Sequence, residues 1–329
     1  MKKIIAITFV SLFLSPLGGA ADNPAKTATK KPATAAEAPA KEAKKAVYVL
    51  VPKSVVHPYW ARCRKGMEKA AKALGVRAIF DGPPNNDLAR QIEIIEGYIT
   101  RRVQGIAISP NDSRGVEEVI KKAVRRDIPV VTFDSDSPGS ERYMYIGTVN
   151  REAGRAAGRA MVEATGGKGE VAVLHGSLTA MNLRERLEGF RDEVRKAPDM
   201  KIVALEENRD DASLALSQAE SILTRYPKLA GFFGTSVTGA PAAVAALRAK
   251  SMLGKVKVVG FDLDKENLAA VRKGWINAII EQRPSLMGEL AVQWLHKLHH
   301  GIKPDRTILD TGVEVVTKAN ADKAAELLK

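Results

Sequence analysis

The residues able to do chemistry in this chain sit just after short apolar runs. Behind Ala46–Val51 come Lys53, His57, Tyr59 and Trp60, and behind Gly105–Ile108 come Ser109, Asn111 and Asp112. Ile128–Phe133 leads to Asp134 and Asp136, and Val171–Leu174 to His175 and then Asn182, Arg184, Glu185 and Arg186. Leu229–Phe233 is followed by Ser236, Val256–Phe261 by Asp262, and Ile276–Ile280 by Glu281 and Gln282. Carboxylates, an arginine, amides and hydroxyls beside two adjacent aromatics suit a neutral, polyhydroxylated ligand. Planar polar groups meet its hydroxyls and aromatic faces meet its C–H surfaces. Catalytic patterns are missing: there is no Gly-x-Ser-x-Gly elbow, Walker loop or His-Glu-x-x-His. The single cysteine, Cys63, cannot form an internal disulfide or build a cysteine-based metal site. Of five histidines, His296, His299 and His300 crowd one helix end. No metal, no cofactor and no enzymatic activity are expected.

The elements that must position these residues alternate. Ten apolar, β-branched runs recur from Ala46 to Ile280, adding Val76–Phe80, Tyr143–Ile146 and Ile202–Leu205 to those above. They are largely continuous, as strands buried on both faces of a parallel sheet should be. Helical periodicity fills most of the intervals, for example Ala61 to Leu74 and Glu152 to Ala164, with Gly75 and Gly166-Gly167 as stops. This alternation demands an α/β fold with right-handed crossovers. Ten strands are too many for one small sheet, and the pattern repeats after about residue 148, so two similar lobes are expected. The link from Phe133 to Tyr143 is too short for a crossover helix, which puts a change of lobe nearby. In open parallel sheets, ligands bind beyond the carboxyl ends of the strands, where these polar residues lie.

Composition narrows the class. The 329 residues are 45% hydrophobic and 27% charged, a globular balance. The net charge of +13 invites a nucleic-acid reading, but residues 1–46 carry eight lysines against three acidic residues. The remainder, with 43 basic and 35 acidic residues, is a mixed solvated surface, and nucleic-acid binding is not expected. Met1-Lys2-Lys3, the apolar Ile4–Leu14 and the small residues through Ala21 read as a cleavable secretory leader, residues 1–21. The apolar run is shorter than the ~20 residues needed to span a bilayer. Residues 22–45, rich in Ala, Lys, Pro and Thr, read as a flexible tether.

Five segments carry a family resemblance. They are His57-Pro58-Tyr59-Trp60 after the first strand, Ile128-Pro129-Val130-Val131-Thr132-Phe133-Asp134, Arg184-Glu185-Arg186-Leu187-Glu188-Gly189-Phe190, Val258-Val259-Gly260-Phe261-Asp262 and Ile280-Glu281-Gln282-Arg283-Pro284. In this order and spacing the chain resembles periplasmic sugar-binding proteins of the ribose-binding type, the substrate-binding components of ABC importers. The resemblance runs over nearly all of residues 46–318. It implies two Rossmann-like lobes with parallel sheets, joined by a three-stranded hinge with crossings near Thr148, Gln282 and Asp310. Residues 46–148 with 283–310 would form the first lobe, and 149–282 with 311–329 the second. Tyr59 and Trp60 then resemble the aromatics that stack on the sugar, with His57 the polar residue before them. Asp134, Arg184, Asp262 and Gln282 match positions that hydrogen-bond ring hydroxyls. Lys53, Ser236 and Asp210 depart from the ribose pattern: Asp210 falls near a usual aromatic, and Ser236 stands where the ribose receptor has asparagine.

Alternatives stand beside these assignments. Asp136 competes with Asp134, and spacing alone does not choose between Arg184 and Arg186; the resemblance chooses Arg184. Asp134 and Asp262 could be read as a glycosidase pair, but the resemblance sets them on hydroxyls. The implied partners are a sugar and an inner-membrane ABC permease, the implied location is the periplasm, and the implied state is monomeric. The alternative is a sensor that presents its sugar to a chemoreceptor or histidine kinase.

Overall fold

The computed structural model describes residues 45–56 and 58–328. The expected leader, all of the tether but Lys45, and His57 lie outside the described residues. The chain begins with β1 (Val47–Val51), α1 (Pro58–Leu74), β2 (Arg77–Phe80), α2 (Leu88–Thr100), β3 (Gly105–Ile108), α3 (Glu117–Val124), β4 (Val130–Phe133) and β5 (Tyr145–Gly147). It continues with α4 (Asn150–Thr165), β6 (Lys168–His175), α5 (Met181–Val194), β7 (Asp199–Glu207), α6 (Ala212–Arg225), β8 (Leu229–Gly234), α7 (Gly239–Ala249), β9 (Lys257–Phe261), α8 (Lys265–Arg272) and β10 (Ala278–Glu281). Then follow α9 (Pro284–His299), β11 (Ile308–Asp310), β12 (Glu314–Val316) and α10 (Ala321–Ala324).

Two six-stranded sheets result, ordered β11-β5-β4-β3-β1-β2 and β12-β10-β9-β8-β6-β7. All pairings are parallel except β10 with β12. Every residue of β3, β4 and β5 is buried, because helices cover both faces of the sheet. Each lobe has two apolar cores, one per face: Leu50, Val131 and Leu295 lie in one, Val49, Ile106 and Ile120 in its counterpart. The chain passes between the sheets after β5, after β10 and after β11.

Among the described residues, twelve strands stand where the sequence shows ten apolar runs. The two extra strands, β11 and β12, are three residues long and mostly half-exposed or exposed, so no apolar run announces them. Their pairing is set by the chain returning from α9, not by their own composition.

Close helix packing positions the cleft side chains. A Cβ on Gly154 of α4 would fall 2.1 Å from the Arg186 carbonyl oxygen, and one on Gly189 of α5 would fall 2.0 Å from that of Arg151. Only glycine allows α5 to lie this near α4. In the first lobe, Gly288 of α9 lies against the Cys63 carbonyl oxygen in the same way, at 2.0 Å from where its Cβ would be.

Candidate functional site

A cavity of about 290 Å³ lies between the lobes, beyond the carboxyl ends of the strands. Eight of the ten expected residues line it: Lys53, Tyr59, Trp60, Asp134, Asp210, Ser236, Asp262 and Gln282. His57 lies outside the described residues, and Arg184 is elsewhere.

The first wall is built around Asp134. Its backbone turns into the left-handed region (φ 59°) just after β4 ends. Asp134 Oδ2 accepts from Ser109 Oγ at 2.7 Å and pairs with Lys53 Nζ at 3.2 Å, and Oδ1 accepts from the Tyr59 hydroxyl at 3.1 Å. Burial pushes its pKa up, but Lys53, Arg186 and the Ser109 hydroxyl outweigh burial and hold it below the usual carboxylate range. Asp134 is therefore an anion at neutral pH. The rival Asp136 is held by Arg142 and by the Thr132 hydroxyl, away from this cavity. Trp60, 5% exposed, stands edge-on to Tyr59 (centroids 4.9 Å apart) and to Phe133 (5.9 Å), so two rings fix the indole's orientation.

The second wall and the hinge are linked through Gln282. Its Nε2 donates to Asp262 Oδ1 at 2.7 Å, and its Oε1 accepts from Thr148 Oγ1 at 3.1 Å. Asp262, like Asp134, ends its strand with a left-handed φ (66°). The two carboxylates thus occupy equivalent positions in the two lobes. Ser236 Oγ is 3.2 Å from Thr238 Oγ1, and Asp210 Oδ2 accepts from Asn86 Nδ2 at 3.1 Å. His175 is fully buried beside Thr235, and burial lowers its pKa to about 4, so it is neutral and structural.

The arginine that lines this cavity is Arg186; Arg184 does not line it. Arg184 is exposed, and its Nη1 donates to the carbonyls of Leu178 and Thr179 in the preceding loop. Arg186 is 1% exposed, donates through Nε to Asn150 Oδ1 (2.9 Å) and through Nη1 to the Thr235 carbonyl (3.0 Å), and lies 4.2 Å over the Phe261 ring. Its Nη2 is buried without a partner on the cavity wall. The reason is helical phase. Asn182, Leu183, Arg186, Leu187 and Phe190 share the buried face of α5, while Arg184 faces away. That apolar spacing was present in the sequence and would have identified Arg186. Asn86 and Asn182 were not singled out as ligand contacts, yet both line the cavity. Asn182 takes a 2.9 Å hydrogen bond from Lys53 Nζ across the cleft.

The lobes touch at several polar points: Lys53 with Asn182, Asn86 with Asp210, Thr179 Oγ1 with the Asn111 carbonyl, and Arg62 with Glu281. The cleft is drawn together around a polar, aromatic-walled space.

The sequence profile of the periplasmic binding protein domain matches residues 47–303. The chain belongs to the periplasmic binding protein family. Among curated relatives, a ribose import binding protein of Bacillus subtilis (strain 168) is 29% identical over 255 residues, 77% of this chain and 81% of that protein. A D-allose-binding periplasmic protein of Escherichia coli (strain K12) is 28% identical, over 74% of this chain and 81% of that protein. A solved ABC transporter solute-binding protein of Burkholderia graminis C4D1M, in complex with D-arabinose, is 40% identical with a TM-score of 0.82. The match covers 85% of this chain and 98% of that one. The two α/β lobes expected from the resemblance are those of this family's solved members.

Proposed function

We infer that this family member captures a neutral monosaccharide in the inter-lobe cleft and delivers it to an ABC import permease, as a monomer exported to the periplasm with residues 1–21 removed. The observation that carries the reading is the charge balance of the cavity. Lys53, Arg186 and Arg209 face Asp134, Asp210 and Asp262, three cations against three carboxylates. A sugar phosphate or sugar acid would meet as much repulsion as attraction there. A neutral polyol meets charged donors and charged acceptors, each hydrogen bond worth roughly 1.5–3 kcal/mol. A volume of about 290 Å³ lies at the lower end of small-molecule pockets (~300–1,000 Å³), which suits one sugar ring. The names of the relatives, which bind ribose, D-allose and D-arabinose, support the same class.

Capture follows from the two walls. Only when the lobes meet can both touch one ligand, so a sugar favours the closed form by the contacts it makes there. A thermal-shift screen against pentoses, hexoses and polyols tests the reading. At least one neutral sugar should raise the melting temperature by several degrees, and a screen in which only anions stabilise the protein would overturn it. A second reading, presentation of the sugar to a signalling partner, is supported by the XylFII–LytSN complex, 30% identical with a TM-score of 0.79. The two separate on whether the liganded protein stimulates ATP hydrolysis by a reconstituted permease.

A further inference from the structure

Arg62 differs from the other groups that join the lobes. Lys53 with Asn182 and Asn86 with Asp210 lie on the cavity wall, where a bound ligand competes for the same atoms. Neither Arg62 nor Glu281 lines that cavity. Theirs is also the one ion pair between the two lobes among the described residues. Tyr59 and Trp60 lie in the first turn of α1, on the cavity wall. Arg62, about one turn beyond Tyr59, stays on that side of the helix and reaches the second lobe. Its guanidinium spans two strand ends there. Nη2 meets Glu281 Oε1 at the end of β10, and Nη1 donates to the Leu263 carbonyl just beyond β9 at 3.0 Å.

The chain neighbours of these two contacts carry the second wall. Leu263 follows Asp262 and Glu281 precedes Gln282, and Gln282 Nε2 donates to Asp262 Oδ1 at 2.7 Å. From the first lobe, Arg62 thus holds both segments that present polar groups to the cavity. The Glu281 side chain is 2% exposed and that of Arg62 18%, so the pair is shielded from the water that weakens surface ion pairs. Separating the partners leaves a buried carboxylate without its cation, which is strongly unfavourable. Contact with Arg62 therefore favours the arrangement in which the lobes meet.

We propose that Arg62 is a positioning residue that holds the lobes together from outside the cavity, so that affinity for every sugar depends on it by one common factor while selectivity does not. This rests on the reading of the cleft as a monosaccharide site and adds to it a residue that governs closure without touching the sugar. A contact made only in the closed form raises the closed fraction, and the apparent affinity of each ligand scales with that fraction. Residues that touch the sugar behave differently. Their loss falls unequally on ligands that differ in the arrangement of their hydroxyls.

Calorimetric titration with D-ribose, D-arabinose, D-allose and D-galactose, with small-angle scattering before and after saturation, tests this. Arg62→Met keeps the aliphatic stem and removes the charge. Glu281→Gln keeps the shape and leaves no buried charge on the second lobe, so it serves even where Arg62→Met does not fold. Each variant should bind every sugar that the wild type binds about tenfold or more weakly, with losses that agree within about threefold. The ligand-free radius of gyration of each should exceed that of the wild type, and saturating sugar should bring all to one value. Arg62→Met/Glu281→Gln should lose no more than either single variant, because both remove the same pair. Arg62→Lys retains the charge and should recover part of the loss. The proposal is overturned if Glu281→Gln keeps the wild-type affinity and radius while its urea midpoint falls, for the pair then serves stability alone. Losses that differ widely among the sugars overturn it as well. A wild-type protein that binds none of the four sugars overturns the reading of the cleft itself, and the ligand-free radii still decide the role of Arg62.

Discussion

Arg62, on the first helix of one lobe, is ion-paired with Glu281, at the end of β10 in the other. The same guanidinium donates to the Leu263 carbonyl at 3.0 Å, and the Leu263 N–H donates to Glu281 Oε2 at 2.6 Å. A closed ring of contacts therefore ties α1 to the strand end that carries Asp262.

Stability should fall as pH rises through neutrality. Burial, opposed by Arg62, lifts the Glu281 pKa from 4.5 to about 7. A carboxyl whose folded pKa is raised stabilises the protein fully below its unfolded pKa, and that contribution is lost as pH climbs through about 7. The swing is on the order of 3 kcal/mol. Melting temperatures of wild type and Glu281→Gln between pH 5 and 8 check this. The variant should lack most of the wild type's decline, and parallel curves would remove Glu281 as its source.

Removing Asp134 alone should destabilise the protein by about 3–5 kcal/mol, because Lys53, 7% exposed, is left charged beside hydrogen-bonding groups that do not neutralise it. Urea denaturation of Asp134→Ala measures the loss. The double replacement Lys53→Met/Asp134→Leu should recover most of the stability and none of the sugar binding. Failure to recover stability would mean the pair is not the cause.

Arg186→Ala should abolish measurable sugar binding, whereas Arg184→Ala should leave affinity and stability nearly unchanged, within about 0.5 kcal/mol. Arg186→Lys keeps the charge but loses the planar fork that meets Asn150, Thr235 and Phe261, and should bind at least tenfold more weakly. Calorimetry on the three variants ranks them. Weakened binding in Arg184→Ala with intact Arg186→Ala would reverse the assignment.

Ligand should change tryptophan emission through Trp60. Trp275 sits under Arg248 and Lys273, and Trp294 under Lys297, and neither lines the cleft. Trp60→Phe should retain part of the affinity and lose most of the ligand-induced signal. A full signal from that variant would place the responsive indole elsewhere.

Much of this molecule was legible in the chain because buried parallel strands leave a local mark. A run such as Val130–Phe133, buried throughout, must be apolar, and the polar residue that follows must stand at the sheet's ligand-facing edge. That logic reached Asp134 and Asp262 without coordinates. It reached Lys53 and Gln282 as well. It did not tell which of Arg184 and Arg186, two residues apart on one helix, reaches the cavity wall, because that requires the helix's phase against α4. The spacing of Leu183, Leu187 and Phe190 encodes that phase, but the positional resemblance pointed the other way. It was silent on β11 and β12, whose short half-exposed strands carry no apolar signature.

What only the tertiary structure decided is who meets whom across the cleft. Lys53 and Asn182 are 129 residues apart in sequence, Asn86 and Asp210 are 124 apart, and Arg62 and Glu281 are 219 apart. Burial and periodicity are properties of a segment and its own surroundings, so composition records them. A contact between two lobes depends on how three separate crossings set the sheets against each other, and no local stretch of sequence carries that geometry.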